Sequence, residues 1–401
     1  MENDLPLGKR IAAFRKLRGW TQAGLAQRLN RSTSWVTKIE RGERQVDSVS
    51  VLLELARALS IPLHQLTGRE DPDREASPDS GTTPLRLVLD RSASLTRTVS
   101  APRSGSVLLD EAGSLRRLYN VSDRGFSSSI PLLAELISEA RTASDERDGD
   151  DRRDAAIALA HLYRLASLDL RRRGDFSRAR LAIDRALLAA ENTGNDLLIA
   201  SVSATLTVQL MMQGNPEDGV ALASDAVSLL RRLRTVNDPD SYTVIDGALH
   251  LYAAQAAARA GDSAESENLL KIATEVAAKS GVDRERHSLI FGPTNVSIQK
   301  VGIFVDAHRP HEALREATRV SADKAGSVSR KCYHYLHLAR AHGMLGHDDS
   351  VIDALTAAYS AAPEFVRHDP LARERVRDLV RRRRSFDERL RRLANDVNVL
   401  D

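Results

Sequence analysis

Five short breaks recur along the C-terminal three-quarters of the chain: GDFSRA (174–179), GNPEDG (214–219), GDSAES (261–266), HRPHEA (308–313) and GHDDSV (346–351). Each follows an apolar helical stretch and precedes another, at intervals of 38 to 47 residues. A helical hairpin cannot bury its apolar face alone, so self-similarity at this period predicts stacked hairpins with outer loops of variable length. Residues 110–143 supply a first, more degenerate hairpin, and Pro363 closes the last. Aromatic residues are only 4% of the 401, while Ala, Leu and Arg are abundant and β-branched runs scarce. That composition favours helix over sheet, and the expected fold class is all-α.

The N-terminal stretch from Gln22 to Gly42 has a different pattern. Two short amphipathic helices are expected, one placing Leu25, Ala26 and Leu29 on a face and the other Val36 and Ile39. Thr21 and Ser32 are the natural caps, Asn30 suits the turn, and Gly42 suits a helix stop. This is helix-turn-helix spacing. A preceding helix from Leu7 to Arg18 is expected to turn Ile11, Phe14 and Leu17 inward and Lys9, Arg10, Lys16 and Arg18 outward. A fourth helix, capped by Asp47 or Ser48, carries Val51, Leu52, Leu55, Ala56 and Leu59, and Pro62 opens a last turn ending near Leu66. Residues 1–67 contain eleven Lys or Arg against six Asp or Glu, whereas the whole chain has a net charge of only +3. A nucleic-acid role must therefore rest on this local excess.

Residues 7–67 resemble the Cro/C1-type (XRE) helix-turn-helix family of regulators. The resemblance is carried by Arg15, Thr21, Gln22, Leu25, Ala26, Leu29, Ser32, Ser34, Val36, the run Ile39-Glu40-Arg41-Gly42, and Arg44. It implies a helix from Ser32 to Arg41 in the major groove of double-stranded DNA, with Thr33, Ser34, Thr37 and Lys38 towards base edges. It also implies phosphate contacts from Gln22, Arg41 and Arg44, and a partly buried Arg15–Glu40 ion pair. Trp35 departs from the family pattern, which leaves it either against a thymine methyl or the sugar backbone, or on the surface against a partner. The remainder resembles tetratricopeptide-type repeats, and with FGPTNV (291–296) the chain looks like actinobacterial regulators of this combined type.

Between the two regions, residues 68–106 are rich in Pro, Ser, Gly, Asp and Glu, with a possible helical turn from Leu85 to Leu89, and read as a linker. The repeat domain is expected to span 107–401. Registering its hairpins on their turns directs His161, Arg164, Ser201, Gln255, Arg259, Asn295, Tyr333 and Arg340 into a concave groove suited to a peptide backbone or an acidic small molecule. His334 and His337 stand at i and i+3 without a third ligand, so no metal is expected. The arginine-rich tail, with RRRR at 381–384, keeps an apolar stripe of Leu379, Phe386, Leu390 and Leu393 and reads as a terminal cap.

The expected function is a sequence-specific DNA-binding transcriptional regulator. It would act as a homodimer, with a ligand, peptide or protein partner held by the repeats. The alternative is a repeat scaffold with a vestigial DNA-binding domain. No Walker loop, dinucleotide turn or metal-ligand helix occurs, and no nucleophile and base can be paired around His161, His287 and His334, so neither catalysis nor a cofactor is expected. The single cysteine, Cys332, suits a reducing compartment, and no apolar run is long enough for a membrane span. A cytoplasmic location follows as an expectation.

Overall fold

The computed structural model describes residues 5–46, 49–59, 61, 63–67, 83–91, 101–121, 126–233, 238–382 and 387–399. Helices α1 (Leu7–Leu17), α2 (Gln22–Arg28), α3 (Thr33–Arg41), α4 (Val49–Ala58) and α5 (Leu63–Thr67) surround a core of Ile11, Leu25, Ala26, Val36, Ile39, Leu52, Leu55, Leu59 and Leu66. The Thr21 hydroxyl accepts from the Gly24 amide at 3.0 Å and the Ser32 hydroxyl from the Trp35 amide at 3.1 Å, fixing both helix starts. Asn30 takes φ 51° in the turn and Gly42 φ 74° at the end of α3. Asp47, Ser48 and Pro62 lie outside the described residues.

The face that α1 presents differs from expectation. At about 100° per residue, burying Leu7, Ile11 and Arg15 together turns Leu17 away from the core, and it is 74% exposed. Arg10 is buried instead. Its guanidinium donates to the carbonyls of Leu66 and Leu5 and reaches a carboxylate far along the chain.

The repeats follow as antiparallel pairs: α7 (Gly105–Val121) with α8 (Ile130–Glu146), α9 (Gly149–Arg172) with α10 (Phe176–Glu191), and α11 (Asp196–Met212) with α12 (Pro216–Arg231). Next come α13 (Pro239–Ala260) with α14 (Ser263–Ser280), α15 (Pro293–Asp306) with α16 (Pro310–Ala317), and α17 (Val328–Met344) with α18 (Asp348–Ala361). The five sequence breaks are the turns inside the last five of these pairs. Gly174, Gly214, Gly261 and Gly346 take φ between 74° and 86° there, and His308 takes φ 59° at the equivalent place.

Ahead of this array, α6 (Thr83–Asp90) buries Leu85 and Leu89 against α8 and α10, and Arg178 pairs with Asp90. Residues 83–90 thus belong to the repeat packing rather than to a linker; 68–82 and 92–100 lie outside the described residues. A second departure from an all-helical expectation is a two-stranded antiparallel hairpin, β1 (Arg284–Arg286) with β2 (Leu289–Phe291). Its two-residue tip, His287-Ser288, has positive φ at both positions, as a primed turn requires. Phe291 seats its ring where Gly247 of α13 has no Cβ; an added one would lie 2.1 Å from the ring.

The array curls until its end meets its beginning. Helix α17 packs on α7, and Glu364 of α19 (Pro363–His368) pairs with Arg173 at 2.7 Å. Two helices complete the chain, α20 (Pro370–Arg382) and α21 (Glu388–Asp396). They bury Leu379, Leu390 and Leu393 in the last hydrophobic cluster, as the stripe implied; Phe386, Arg383 and Arg384 lie outside the described residues.

The repeated turn needs a left-handed residue, so Gly261→Ala, which no neighbour crowds, should lower stability by about 1 kcal/mol. His308→Gly should raise it by up to about 1 kcal/mol for the same reason. Urea transitions of the two variants, compared with wild type, check the opposite signs.

Candidate nucleic-acid interface and repeat cavity

Helix α3 stands on α1 and α2 through a buried polar hub. The Arg15 guanidinium donates to both Glu40 oxygens at 2.6 and 2.9 Å and to the Trp20 carbonyl at 2.6 Å, while Gln22 donates to Glu40 at 2.8 Å. Burial raises the Glu40 carboxyl, but the bonds from Arg15 and Gln22 outweigh it and hold the carboxyl below its ordinary 4.5. The hub orients the helix. Ser32, Thr33, Ser34, Lys38 and Arg41 are exposed along its outer side.

Four expected contact residues are engaged within the protein. Gln22 accepts from the Thr37 hydroxyl at 2.9 Å, so those two side chains form a bracket between α2 and α3. Trp35 is half-buried against the domain's own core, with the Arg31 guanidinium 5.7 Å over its ring. Arg44 lies 3.4 Å from the ring of His308, at the α15–α16 turn.

The DNA-binding region is therefore docked on the repeats. Arg10 pairs with Glu374 of α20 at 3.3 Å, Gln45 bridges Asp378 and Arg375, and Arg377 donates to the Thr67 carbonyl. Burial pushes the Glu374 carboxyl up, against the pull of Arg10. On the other side, Arg57 reaches Asn215 at the α11–α12 turn. Helix α20 is amphipathic with two working faces. Its Leu371 packs against the N-terminal core and also lines a cavity in the repeats.

That cavity, about 210 Å³, sits inside the curl of the array. Five of the residues expected in a groove, Arg164, Gln255, Arg259, Tyr333 and Arg340, line it. The other three do not. Ser201 is fully buried and donates to Leu198, and Asn295 is fully buried and donates to the Ile290 carbonyl. His161 meets Ser288 of the β-hairpin at 3.3 Å, and burial beside Arg164 and Arg116 lowers its pKa to about 3. Registering the repeats by their turns could not anticipate a hairpin that lies across part of the concave side. Sequence reasoning also passed over Tyr252, Arg171, Arg172 and Arg330, which line the same cavity. The clue was present in the run from Arg171 to Arg173, which flanks a repeat turn.

An array of this kind joined to an exposed, capped second helix of a helix-turn-helix unit defines a DNA-binding protein with an appended helical-repeat domain. Residues 6–67 match the family described as "Helix-turn-helix domain". Over 63 residues the chain is 43% identical to the HTH-type transcriptional regulator YazB of Bacillus subtilis (strain 168), covering 16% of this chain and 90% of that one. Among solved structures, Bacillus thuringiensis PlcR, in complex with the peptide PapR7 and DNA, is similar at 15% identity and a TM-score of 0.32. That match covers 86% of this chain and 99% of PlcR. The chain belongs to the helix-turn-helix family of transcriptional regulators.

Glu40→Gln should cost about 2–3 kcal/mol near neutral pH, because Arg15 keeps its burial and loses its counter-charge. Since the folded carboxyl lies below 4.5, its contribution is complete above that value and fades as pH falls through the folded value. Denaturant titrations near pH 7 and at about pH 3 should therefore show the variant and wild type converging in acid.

Proposed function

We propose that the chain is a ligand-controlled regulator that binds paired half-sites on double-stranded DNA as a homodimer in the cytoplasm. The observation that carries the DNA reading is the exposed row Ser32, Thr33, Ser34, Lys38 and Arg41 on a helix whose other side is locked by Arg15 and Glu40. In this reading Thr33, Ser34 and Lys38 meet base edges, and Arg41 and Arg44 meet phosphate. Gln22 and Thr37 serve by bracing α3. One such domain covers a half-site only, so two copies spaced by about one helical turn, ~34 Å, are needed for a stable complex.

Control passes through α20. Arg375 and Leu371 border the cavity, while Arg375 also donates to Gln45, and Glu374 holds Arg10. A ligand, whether peptide, small molecule or segment of a partner protein, that shifts α20 changes the hold on the DNA-binding domain directly, without relying on the connecting segment between them. Arg44 must also exchange His308 for phosphate when DNA is engaged. The docked arrangement is thus the restrained state.

Lys38→Ala should weaken binding to the preferred operator by ~1–3 kcal/mol and relax preference at one base pair. Arg41→Ala should weaken all sequences alike and reduce the salt dependence. Glu374→Ala, which leaves the α3 surface untouched, should raise operator affinity in the absence of ligand. Fluorescence anisotropy with selected and scrambled duplexes across a salt series checks all three, and an unchanged Glu374→Ala isotherm would reject the restraint.

A further inference from the structure

The cavity holds more positive charge than its own carboxylates neutralise. Arg259 and Arg340 are matched by Asp306, which both contact, at 3.0 Å in the case of Arg259, and which also accepts from Gln255. Asp169 is used by Arg173, Asp283 accepts the amides of Thr294 and Asn295 at the start of α15, and Asp369, the carboxylate in the cavity lining, accepts the Ala372 amide at the start of α20. Arg164, Arg171, Arg172 and Arg330 remain. None of these four has a carboxylate in ion-pairing range among the described residues.

What they touch instead is neutral. Arg164 is 1% exposed and donates to the carbonyls of His287 and Ser288 at the β-hairpin tip, with its Nε unpartnered. Arg330 donates to the Tyr252 hydroxyl at 3.0 Å. Arg172 donates to the Tyr119 hydroxyl at 2.6 Å and stacks over Phe365, again with Nε unpartnered. Arg171, the residue next to Arg172 at the end of α9 and two helical turns from Arg164, has a buried Nη1 without a partner. Burial raises the Tyr252 hydroxyl, yet the charges of Arg330, Arg164 and Arg171 outweigh that and bring it down, as expected of three cations gathered near one phenol.

Buried guanidinium groups without counter-ions are costly in an empty site and ready-made for an oxyanion, which takes their N–H donors in pairs. We propose that the cavity is an oxyanion-binding site in which Arg164, Arg171 and Arg330 hold a carboxylate or phosphate group of the ligand beside Tyr252, with Arg172 supplying further positive charge. This deepens the reading that the cavity takes a ligand and rests on it. The apolar part of the lining, Leu168, Val208, Met211, Met212 and Leu336, then accommodates the rest of the molecule. The alternative role for Arg164 is a clamp on the hairpin tip, which needs no anion.

The test uses the full chain and two probes, inorganic phosphate and citrate, followed by calorimetric titration and thermal melting, with sodium chloride at matched ionic strength as control. Saturable binding of either probe and a melting temperature that rises with its logarithm are expected; which probe binds tighter assigns the group as phosphate or carboxylate. Arg171→Met, which removes no hydrogen bond of the fold, should weaken that binding by about tenfold or more. Arg164→Met should abolish it, and its melting temperature without anion reads the strength of the bonds to the hairpin tip. Equal shifts from chloride, or an undiminished response in Arg171→Met, would overturn the site. An Arg164→Met protein that melts lower yet still binds the probe would assign Arg164 to the clamp and overturn its place among the ligand-holding groups. Operator binding measured on the same samples keeps the two readings apart, because a chain that binds DNA but no oxyanion refutes only the site.

Discussion

Closure of the repeat array depends on one cationic seam. Arg172 lies between Tyr119 of the first hairpin and Phe365 beyond the last, and Arg173 joins Asp169 to Glu364, whose carboxylate also takes the Ser127 hydroxyl. An open solenoid would leave these side chains in water, where such pairs contribute little. Here they are mostly shielded, and Arg173 and Glu364 are 191 residues apart in sequence. Curling turns a shallow concave face into a half-open space. It also sets α20 at the rim of that space, where a single helix serves the cavity on one side and the DNA-binding domain on the other.

The local rules were readable in the chain and the long-range ones were not. Caps at Thr21 and Ser32, the left-handed Asn30 and Gly42, and the repeat turns depend on residues within a few positions of each other, so spacing alone exposes them. Arg15 with Glu40 came from a family pattern and is present as an ion pair. Arg10 and Leu17 show the limit. Nothing near Arg10 announces a buried partner, because Glu374 arrives from 364 residues away, and a periodic stripe alone does not reveal how far α1 is rotated. The β-hairpin was hidden for a different reason: His287 and Ser288 hold positive φ without the glycine or asparagine that usually marks such a turn, and Arg164 supports their carbonyls from across the groove. The site was half legible for the same reason. Residues registered by turns fell on helices that border the cavity, but which of them face it depends on the hairpin and on the curl.

Charge is distributed so that its excess has work in two separated places. The net +3 of the chain conceals an excess of five on the first 67 residues and a group of unneutralised arginines inside the repeats. On the surface of α3 the cations are solvated and inexpensive until phosphate displaces counterions. Inside the curl they are desolvated, and the burial that lowers Arg164 to about 9 is a measure of what an anion would relieve. Both sites therefore favour negatively charged ligands, but only the interior one changes the protein's own energetics on filling. That difference suits a duplex-reading surface that is always formed and a sensing site whose empty state is strained.

In the proposed control scheme helix α20 converts that difference into communication. Arg375 is common to both sides, bordering the cavity while donating to Gln45 in the segment just after the recognition helix. Glu374, one residue earlier and about 100° round the helix, is held near Arg10 in a setting where burial disfavours its charge. A pair kept in so marginal an environment is easily exchanged for solvent, since separation relieves desolvation on both partners even as it gives up their attraction. Movements of α20 that separate the pair would release the contact. A flexible connection would dissipate such movements, whereas a helix packed on both domains transmits them as a rigid body. The coupling consequently requires no conformational change within the helix-turn-helix core, where Arg15, Glu40, Gln22 and Thr37 keep the reading surface preformed in either state.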